Sequence, residues 1–506
     1  MTGRRTVALA VAAIGAAALV PIAVRADDVG CSAAPAPGGE WVTYGHDLDN
    51  SRTQPAEDTI DASNAGTLEP AFVFRGPGLL GTINMTPIVA GGCVFVSSSD
   101  DGTAATVTAL DADDGARRWA HRIDVGGNAY GGSVVGSPAV DGELLLVPVN
   151  RVGAQGGPFV RALHRDTGEL VWDSEPLDTQ PDTGTNASVT VWNGIAVIGF
   201  FGKAGPDEDE RGGVALLDTA TGELLARTYT IPDDDFAEGY AGAGVWSTAA
   251  VDPATGHAYV GSSNPHDPHR IHERSTSLLK IDIDRTRATF GQIVDWYQGL
   301  RDTIVPGAQE QPVCETAPDV HYYGEFSATC LAVDVDFGAS PNLIHLADGR
   351  TLLGGHQKAG VYHVVDTDGM DGLSMTPVGA PCFACSAASS AFADGRAFVP
   401  AGPPGQLVAV DVTNGAPAWA SPIAGGFTFN PASTANGLVW MTDSNGFLDA
   451  FDQATGAPVL KRRMADDTGE SMATSTSSAG VAIANHTVYA ALGSHLVAYR
   501  LPGGNA

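Results

Sequence analysis

The sequence predicts an all-β protein, an eight-bladed β-propeller whose ring is closed by a strand from the N-terminal region. Short apolar runs with a period of two residues are separated by Gly, Asp and Asn turns, a pattern typical of antiparallel strands. A string of the form Ala-Leu-Asp-x-x-Thr-Gly-x-x-x-Trp recurs at intervals of roughly 40 to 85 residues, which indicates a repeat architecture. The last copy stops early, so its sheet needs a strand from elsewhere in the chain.

Each copy of the string follows a matching front half, which begins with Ser/Thr-Pro or a similar pair, as at Thr86-Pro87 and Ser137-Pro138. A four-stranded sheet buries its faces only against neighbouring blades, so we expect the Trp of one blade to pack into the next and Thr-Gly to form a tight turn. We expect the closing strand near Ala71-Phe72-Val73-Phe74. A β-sandwich is the alternative that the number of copies disfavours. The eight copies contain Ala109-Leu110-Asp111, Ala162-Leu163-His164, Leu217-Asp218, Lys280-Ile281-Asp282, Val365-Asp366, Val410-Asp411, Phe451-Asp452 and Val497-Ala498-Tyr499.

Residues 1–26 have the pattern of a secretory signal peptide. Arg4 and Arg5 precede an apolar, Ala-rich run, and Ala26 ends a stretch that suits an export peptidase. We therefore expect a single propeller domain over residues 27–506, secreted or periplasmic. No later stretch is apolar enough to span a bilayer.

The charge of the chain is strongly acidic, with 58 Asp and Glu against 27 Lys and Arg. Nucleic-acid binding needs basic patches, so this balance argues against a nucleic-acid partner. It argues equally against binding to anionic membrane surfaces.

Six cysteines in an exported protein favour disulfides, although six allow 15 pairings. Local spacing favours Cys314–Cys330 and Cys382–Cys385, which leaves Cys31–Cys93. Cys314 and Cys330 fall in an insertion at about 303–333, either a stapled surface loop or a lid over the substrate entrance. For Cys382 and Cys385 a redox role is the alternative.

Three groups of motifs resemble pyrroloquinoline-quinone (PQQ) dehydrogenases, a quinoprotein family, and those around Asp336 look most like its polyvinyl-alcohol dehydrogenase branch. The resemblance covers essentially all of residues 27–506. The motifs are Trp41-Val-Thr-Tyr-Gly-His-Asp-Leu-Asp-Asn-Ser-Arg52, then Gly244-Val-Trp-Ser-Thr with Gly261-Ser-Ser-Asn-Pro265, and finally Asp334-Val-Asp-Phe-Gly-Ala-Ser-Pro341 with Gln357-Lys358-Ala-Gly-Val-Tyr362.

The resemblance implies a cofactor that lies flat near the propeller axis. Trp246 would be the surface on which the quinone rings stack. Lys358 would hydrogen-bond the quinone oxygens, and Thr185 is a weaker match to a cofactor-contacting threonine. Asp336 matches the catalytic aspartate, which takes the hydroxyl proton of the alcohol while hydride passes to the quinone. Asp334 is the alternative base.

The resemblance also implies a Ca²⁺ ion that acts as a Lewis acid. Its ligands would include Asn264 and Asp336. The family has a glutamate four residues before an Arg-Gly pair, and here Asp207 stands at that position, with Glu208 as an alternative. The implied activity is oxidation of a small-molecule or polymeric alcohol. Electrons would leave to an external acceptor, a cytochrome or a quinone, because the sequence has no haem-attachment motif.

Two alternatives stay open at this point. The chain would also suit a non-catalytic propeller that binds a protein or a polysaccharide, because fold alone does not decide function. His266, His269 and His272 form a histidine-rich loop that would suit a transition metal, but scattered loop histidines are commoner.

Overall fold

The strands form eight separate sheets in a computed structural model that describes residues 30–128, 132–202, 210–267, 269–301, 335–380, 387–424, 429–470 and 478–503. Six of the sheets are built from consecutive strands alone, and the first strands of neighbouring sheets contact one another around an axis. This arrangement is an eight-bladed β-propeller, as the repeats predict.

Six blades each consist of four consecutive antiparallel strands. Blade 1 contains β3 (Ile88–Ala90), β4 (Cys93–Ser99), β5 (Ala104–Asp111) and β6 (Arg117–Asp124); blade 2 contains β7 (Ala139–Asp141), β8 (Leu144–Val149), β9 (Phe159–His164) and β10 (Leu170–Asp173); blade 3 contains β11 (Thr190–Trp192), β12 (Ile195–Phe200), β13 (Gly213–Asp218) and β14 (Leu224–Tyr229). Blade 4 contains β15 (Ala250–Asp252), β16 (His257–Gly261), β17 (Ser277–Asp282) and β18 (Ile293–Gln298); blade 5 contains β19 (Asn342–His345), β20 (Thr351–Gln357), β21 (Val361–Asp366) and β22 (Asp371–Pro377); blade 6 contains β23 (Ala391–Ala393), β24 (Arg396–Ala401), β25 (Gln406–Asp411) and β26 (Pro417–Pro422).

The last two blades take strands from the N-terminal region. Blade 7 contains β27 (Ser433–Ala435), β28 (Leu438–Thr442), β29 (Phe447–Asp452) and β30 (Pro458–Arg463), with β1 (Thr53–Gln54) added in parallel to β27. Blade 8 contains β31 (Val481–Ala484), β32 (Thr487–Leu492) and β33 (His495–Arg500), and its outer strand is β2 (Glu69–Arg75), antiparallel to β33. The predicted closing strand is therefore confirmed, and the ring has no open edge there.

The short helices are minor elements of this fold. Two 3₁₀ turns occupy Ala65–Thr67 and Gly153–Gln155, and α1 and α2 occupy Asp233–Ala237 and Ala465–Thr468. Across the described residues, none of the helices has the length and apolar character that a membrane crossing requires.

The recurring Trp and Thr-Gly are explained by contacts between blades. Trp119 of blade 1 lies against Gly168 of blade 2, where an added Cβ would come within 2.5 Å of the indole, and its Nε1 donates to Arg165 O at 2.8 Å. Trp419 of blade 6 makes the equivalent contact with Gly456 of blade 7. Gly168 and Gly456 also have positive φ values of 71° and 73°, so each turn needs glycine for its backbone and for the room it leaves.

A chain of hydroxyl groups joins the blades near the axis. Two residues before its first strand, each of blades 1 to 6 has a Ser or Thr, and in blades 1 to 5 the backbone N–H of this residue donates to the hydroxyl of the next blade. The five links are Thr86 to Ser137 (3.1 Å), Ser137 to Ser188 (2.8 Å), Ser188 to Thr248 (3.1 Å), Thr248 to Ser340 (2.9 Å) and Ser340 to Ser389 (2.9 Å).

The corresponding positions in blades 7 and 8 are Pro431 and Ala479, which have no hydroxyl. Arg52 occupies this gap: Nε donates to Ala432 O at 2.6 Å, and the guanidinium also reaches Val481 O at 3.4 Å and Thr86 Oγ1 at 3.3 Å. Burial lowers the pKa of Arg52 to about 10, so the group is still charged at neutral pH. Arg52 therefore joins blades 7, 8 and 1.

The segment that carries Arg52 contacts every blade in turn. Residues 39–54, the axial cap, run around the axis and hydrogen-bond in each of the eight blades with the first strand or a residue directly beside it. Tyr44 Oη also donates to Ser389 Oγ at 2.8 Å. In blade order the contacts are Trp41 to Val89, Val42 O to Val140 N, Thr43 Oγ1 to Val189 O, Leu48 O to Val251 N, Asp49 O to Leu343 N, Ser51 O to Phe392 N, Arg52 O to Thr434 N, and Gly39 O to Asn485 N.

One of the three expected disulfides lies in the described residues. Cys31 and Cys93 are bonded, which fixes the start of the described chain to β4 of blade 1 and confirms that pairing. The other four cysteines, like residues 1–29 and the insertion, lie outside the described residues.

Replacement of Arg52 by methionine removes the donors that join blades 7, 8 and 1 but keeps an apolar stem. We expect a loss of about 3–5 kcal/mol in the free energy of unfolding, because several buried carbonyls lose a donor at once. Urea denaturation followed by tryptophan fluorescence measures the change.

The matched control is Arg350→Met, which removes an arginine whose side chain is 52% exposed and pairs with Asp348. We expect that variant to change stability by less than about 0.5 kcal/mol. Equal losses in the two variants would contradict the role assigned to Arg52.

Candidate functional site

A cavity of about 320 Å³ lies on the axis of the propeller. Its size falls in the range of small-molecule sites. Apart from Tyr44 of the axial cap, the lining residues lie in the segments that precede the first strands of the blades. The wall combines Tyr44 of the cap with hydroxyls of the blade-linking chain and larger side chains, among them Asn84, Ser137, Asn186, Ser188, Trp246, Thr248, Ser340, Ser389 and Phe429.

Trp246, which lines this cavity, contacts Asp336 and Lys358 where blades 4 and 5 adjoin. Trp246 Nε1 donates to Asp336 Oδ2 at 3.2 Å, and Lys358 Nζ donates to the same oxygen at 3.1 Å. The lysine ammonium lies 4.9 Å from the centroid of the indole ring. The motifs predict that these three residues act together. Asp336 lies 90 positions after Trp246 and 22 positions before Lys358 in the sequence, and the structure brings all three into direct contact.

Asn264 completes the surroundings of the aspartate. Its backbone N–H donates to Asp336 Oδ1 at 2.7 Å, so both carboxylate oxygens accept from donors. Such a set of partners suits an ionised carboxylate. The Asp336 side chain is 9% exposed, so the carboxylate faces mainly these groups rather than bulk water.

The fold holds Asp336 through its buried neighbour Phe337. An added Cβ at Gly261 would lie 2.6 Å from Phe337 Cβ, and one at Gly299 would lie 2.4 Å from the ring. A Cβ at Gly355 would come to 3.2 Å from the ring. Three glycines therefore form the slot that Phe337 fills, which explains why an aromatic residue follows the aspartate.

Trp246 is placed by a similar close approach. A Cβ at Gly338 would come within 1.9 Å of indole carbons Cη2 and Cζ2, so only glycine leaves the indole in this position. Gly338 and Trp246 both line the cavity.

The remaining predicted site residues are placed less directly. Thr185 is buried beside the cavity, and its hydroxyl donates to Gly199 O at 2.7 Å, while the next residue, Asn186, lines the wall. Asp207, with Glu208, lies outside the described residues, as does Asp334. Glu210, the last acid of the same run, accepts from Asp182 N at 2.7 Å.

The histidine-rich loop is divided among different contacts. His272 lies 3.1 Å from Asp235 Oδ2, and its ring packs edge-on against Tyr240. Within the described ranges, no group of three His, Cys, Asp or Glu side chains is arranged to hold a metal ion.

Two buried histidines lie behind the site in blade 5. His363 packs against Phe337 with ring centroids 5.1 Å apart, and its Nδ1 lies 3.1 Å from Tyr297 Oη. Burial lowers the pKa of His363 to about 3 and that of His356 to about 4. Both are therefore neutral in the folded protein at physiological pH, and sequence reasoning did not single them out.

Solved structures confirm the predicted fold class. The quinohemoprotein alcohol dehydrogenase from Comamonas testosteroni superposes with a TM-score of 0.70 at 18% identity, over 94% of this chain and 82% of that one. At this identity the likeness concerns the fold alone.

The family follows from the sequence comparison. The family model PQQ_2, described as outer membrane protein assembly factor BamB, matches residues 77–199 and 365–506, just over half of the chain. The chain therefore belongs to this family.

Curated relatives are quinoprotein dehydrogenases, which confirms the resemblance seen in the motifs. A polyvinylalcohol dehydrogenase of Sphingopyxis sp. (strain 113P3) is 26% identical over 66% of this chain and 51% of its own length. The quinohemoprotein alcohol dehydrogenase ADH IIB of Pseudomonas putida is 27% identical over 49% of this chain and 37% of its own length. The chain thus spans about half, or less, of these relatives.

Replacement of Gly338 by alanine is expected to displace the indole of Trp246, because the new methyl group would occupy the position of two ring carbons. We expect a shift of the tryptophan emission spectrum and a loss of any ligand affinity at the axial cavity of about tenfold or more.

Gly66→Ala is the matched control, since an added Cβ there meets nothing within 4 Å. Its emission and ligand affinity should equal those of the wild type. An unchanged spectrum in Gly338→Ala would show that Trp246 does not depend on this glycine.

Replacement of His363 by phenylalanine should reduce the acid sensitivity of the fold. Below the ordinary histidine pKa of 6.5 the unfolded chain binds a proton that the buried His363 does not, so the free energy of unfolding falls as the pH falls towards the folded-state pKa of about 3. The contribution is at most about 1.4 kcal/mol per pH unit. Urea denaturation at several pH values from about 6.5 to about 4.5 should therefore give a shallower slope for the variant.

Burial raises the pKa of Asp449 to about 6, so this group makes the free energy of unfolding rise as the pH falls. Its effect is the same in the wild type and in His363→Phe and cancels when their slopes are compared. Gly66→Ala, which removes no ionisable group and whose added Cβ meets nothing within 4 Å, should keep the wild-type slope. Equal slopes for wild type and His363→Phe would contradict the burial argument.

Proposed function

We propose that the protein is a PQQ- and Ca²⁺-dependent dehydrogenase that oxidises an alcohol group. The proposal depends mainly on one observation: Trp246, which lines the axial cavity, is in contact with both Asp336 and Lys358. The names of the curated relatives, a polyvinylalcohol dehydrogenase and a quinohemoprotein alcohol dehydrogenase, support the same class of reaction.

The residues at the cavity suit a flat, anionic cofactor. The indole of Trp246 offers a planar surface for stacking, and the ammonium of Lys358 lies close enough to that ring to donate to an oxygen of a stacked group. Thr185 lies beside this wall. When bound, PQQ would supply the oxidant, a quinone that accepts two electrons from the substrate.

Asp336 would serve as the general base. Its carboxylate is fixed by the N–H groups of Trp246, Lys358 and Asn264, so that an oxygen is held ready to take the hydroxyl proton of an alcohol. The low exposure of the site keeps water from competing for that proton.

Asn264 and Asp336 would supply part of the calcium shell, with Asp207 as a further ligand. Asn264 and Asp336 are adjacent through the bond between the asparagine N–H and the carboxylate. Their oxygens are the hard ligands that Ca²⁺ prefers, and the ion would orient the cofactor and polarise its carbonyl.

The substrate would be a small-molecule or polymeric alcohol, and an external cytochrome or quinone would accept the electrons. Residues 1–26 support export, so we place the reaction in a secreted or periplasmic setting.

Addition of PQQ and Ca²⁺ to the purified protein tests the proposal. We expect a change in quinone absorbance and dye-coupled oxidation of at least one member of a panel of primary, secondary and polymeric alcohols. Asp336→Asn should keep PQQ bound but lower turnover by about 100-fold or more, because the base is lost.

Asp348→Asn, which changes an exposed turn acid, is the matched control and should leave turnover unchanged. Absence of any absorbance change and of any dye reduction in the wild type would refute the enzyme proposal. Full turnover in Asp336→Asn would refute the assignment of the base alone.

The description of the matching family as an outer membrane assembly factor favours a second candidate, a non-catalytic propeller that binds a protein or a polysaccharide. This candidate predicts no PQQ binding, so the same titration separates the two functions.

A further inference from the structure

Gln357 is a buried side chain whose hydrogen bonds to the described residues all go to backbone groups near the site. It ends β20, directly before Lys358, and it is fully buried. Its Nε2 donates to Leu300 O at 2.7 Å and to Val335 O at 2.7 Å, and its Oε1 accepts from Leu300 N at 3.0 Å. One amide thus satisfies three backbone groups from two distant parts of the chain.

Leu300 precedes, and Val335 follows, the insertion that separates blade 4 from blade 5 in the sequence. Leu300 follows β18, the outer strand of blade 4, and Val335 immediately precedes Asp336. The amide of Gln357 therefore brings together the point where the chain leaves blade 4 and the point where it returns to the axis.

Three parallel connections tie residues 335–336 to residues 357–358. Gln357 Nε2 bonds Val335 O, Lys358 N donates to Asp336 O at 2.9 Å, and Lys358 Nζ bonds Asp336 Oδ2. On the other side of Asp336 the ring of Phe337 is confined by glycines. The backbone that carries the carboxylate is consequently fixed from both directions, and Gln357 supplies the fixation on the side of the insertion.

We propose that Gln357 is a positioning residue that holds Asp336 and Lys358 at their distance from the cofactor and the substrate. This role rests on the proposed dehydrogenase function. The side chain contacts neither the cavity wall nor the carboxylate in the described structure, so it acts through the backbone of Val335 and through its neighbour Lys358.

Gln357→Leu removes all three hydrogen bonds at similar volume, and Gln357→Glu removes only the two N–H donors while an acceptor for Leu300 N remains. In the PQQ- and Ca²⁺-loaded protein we expect both variants to lower kcat by about 10- to 100-fold, because a small displacement of a reacting group has effects of this size. The KM for the alcohol should stay within about threefold of the wild type, since neither variant alters the cavity lining.

Hydrogen exchange supplies a readout that does not depend on activity. In Gln357→Leu the amide of Leu300 should exchange faster than in the wild type, because its acceptor is gone, whereas Gln357→Glu should retain protection there. Peptides that span Leu300 and residues 335–339 report this by mass spectrometry.

Gln54→Leu is the matched control. Gln54 is a buried glutamine with the same kind of bonding, to Glu40 O, Ile483 O and Ala56 N, but it belongs to the axial cap. Its loss should lower stability without lowering kcat of the folded enzyme measured well below its melting temperature.

The outcomes are distinguishable. If the wild type is active and Gln357→Leu keeps the wild-type kcat, the positioning role is overturned and the proposed function stands. The same holds if Gln357→Leu loses activity only in proportion to the fraction of unfolded protein. A wild type that binds no PQQ and oxidises no alcohol would overturn the proposed function and this role with it. A lowered kcat at constant KM, absent in Gln54→Leu, is the result expected.

Discussion

The axial cap and its Arg52 are the constraint on which the rest of the structure depends. Each blade is a separate sheet, and strand pairing within a sheet cannot set the distance of that sheet from the axis. The hydroxyl chain links blades 1 to 6, but Pro431 and Ala479 break it, and the guanidinium of Arg52 spans the gap. Because the cap also bonds to every blade in order, all eight first strands are held around the axial cavity.

The candidate site is a product of this closure. Trp246 and Asn264 come from blade 4, and Asp336 and Lys358 belong to blade 5, so their contact depends on how these two blades adjoin. The link from Thr248 N to Ser340 Oγ fixes that boundary at 2.9 Å. The insertion lies between these two residues in the sequence, and the buried amide of Gln357 bonds Leu300 and Val335 on either side of it.

Much of the fold could be predicted because the same sequence string recurs in every blade. The Trp and Thr-Gly of each string are local signals with a physical cause, the packing of an indole over the glycine of the next blade. The closing strand at Glu69–Arg75 was predictable because the last copy of the repeat lacks an outer strand. The pair Cys31–Cys93 was reached only by elimination, since spacing carries no information about a contact between the chain start and blade 1. The path of the cap was not predictable, because its contacts are one or two hydrogen bonds to each of eight distant blades.

The site was predicted through motifs rather than through geometry. The motifs indicated Trp246, Asp336 and Lys358, and the structure brings these together. They did not indicate Gln357 or His363, because a buried glutamine and a buried histidine leave no pattern of spacing. The Ser/Thr at the start of successive blades was visible in the sequence, but its role as a link between blades appears only when the ring is closed.

A structure of the protein reconstituted with PQQ and Ca²⁺ tests the account most directly. Crystallographic difference density should place the quinone in the axial cavity, stacked on Trp246, with an oxygen within hydrogen-bond distance of Lys358 Nζ and with Asp336 beside it. Quinone density at another location, or an axial cavity that stays free of density at saturating PQQ, would contradict it.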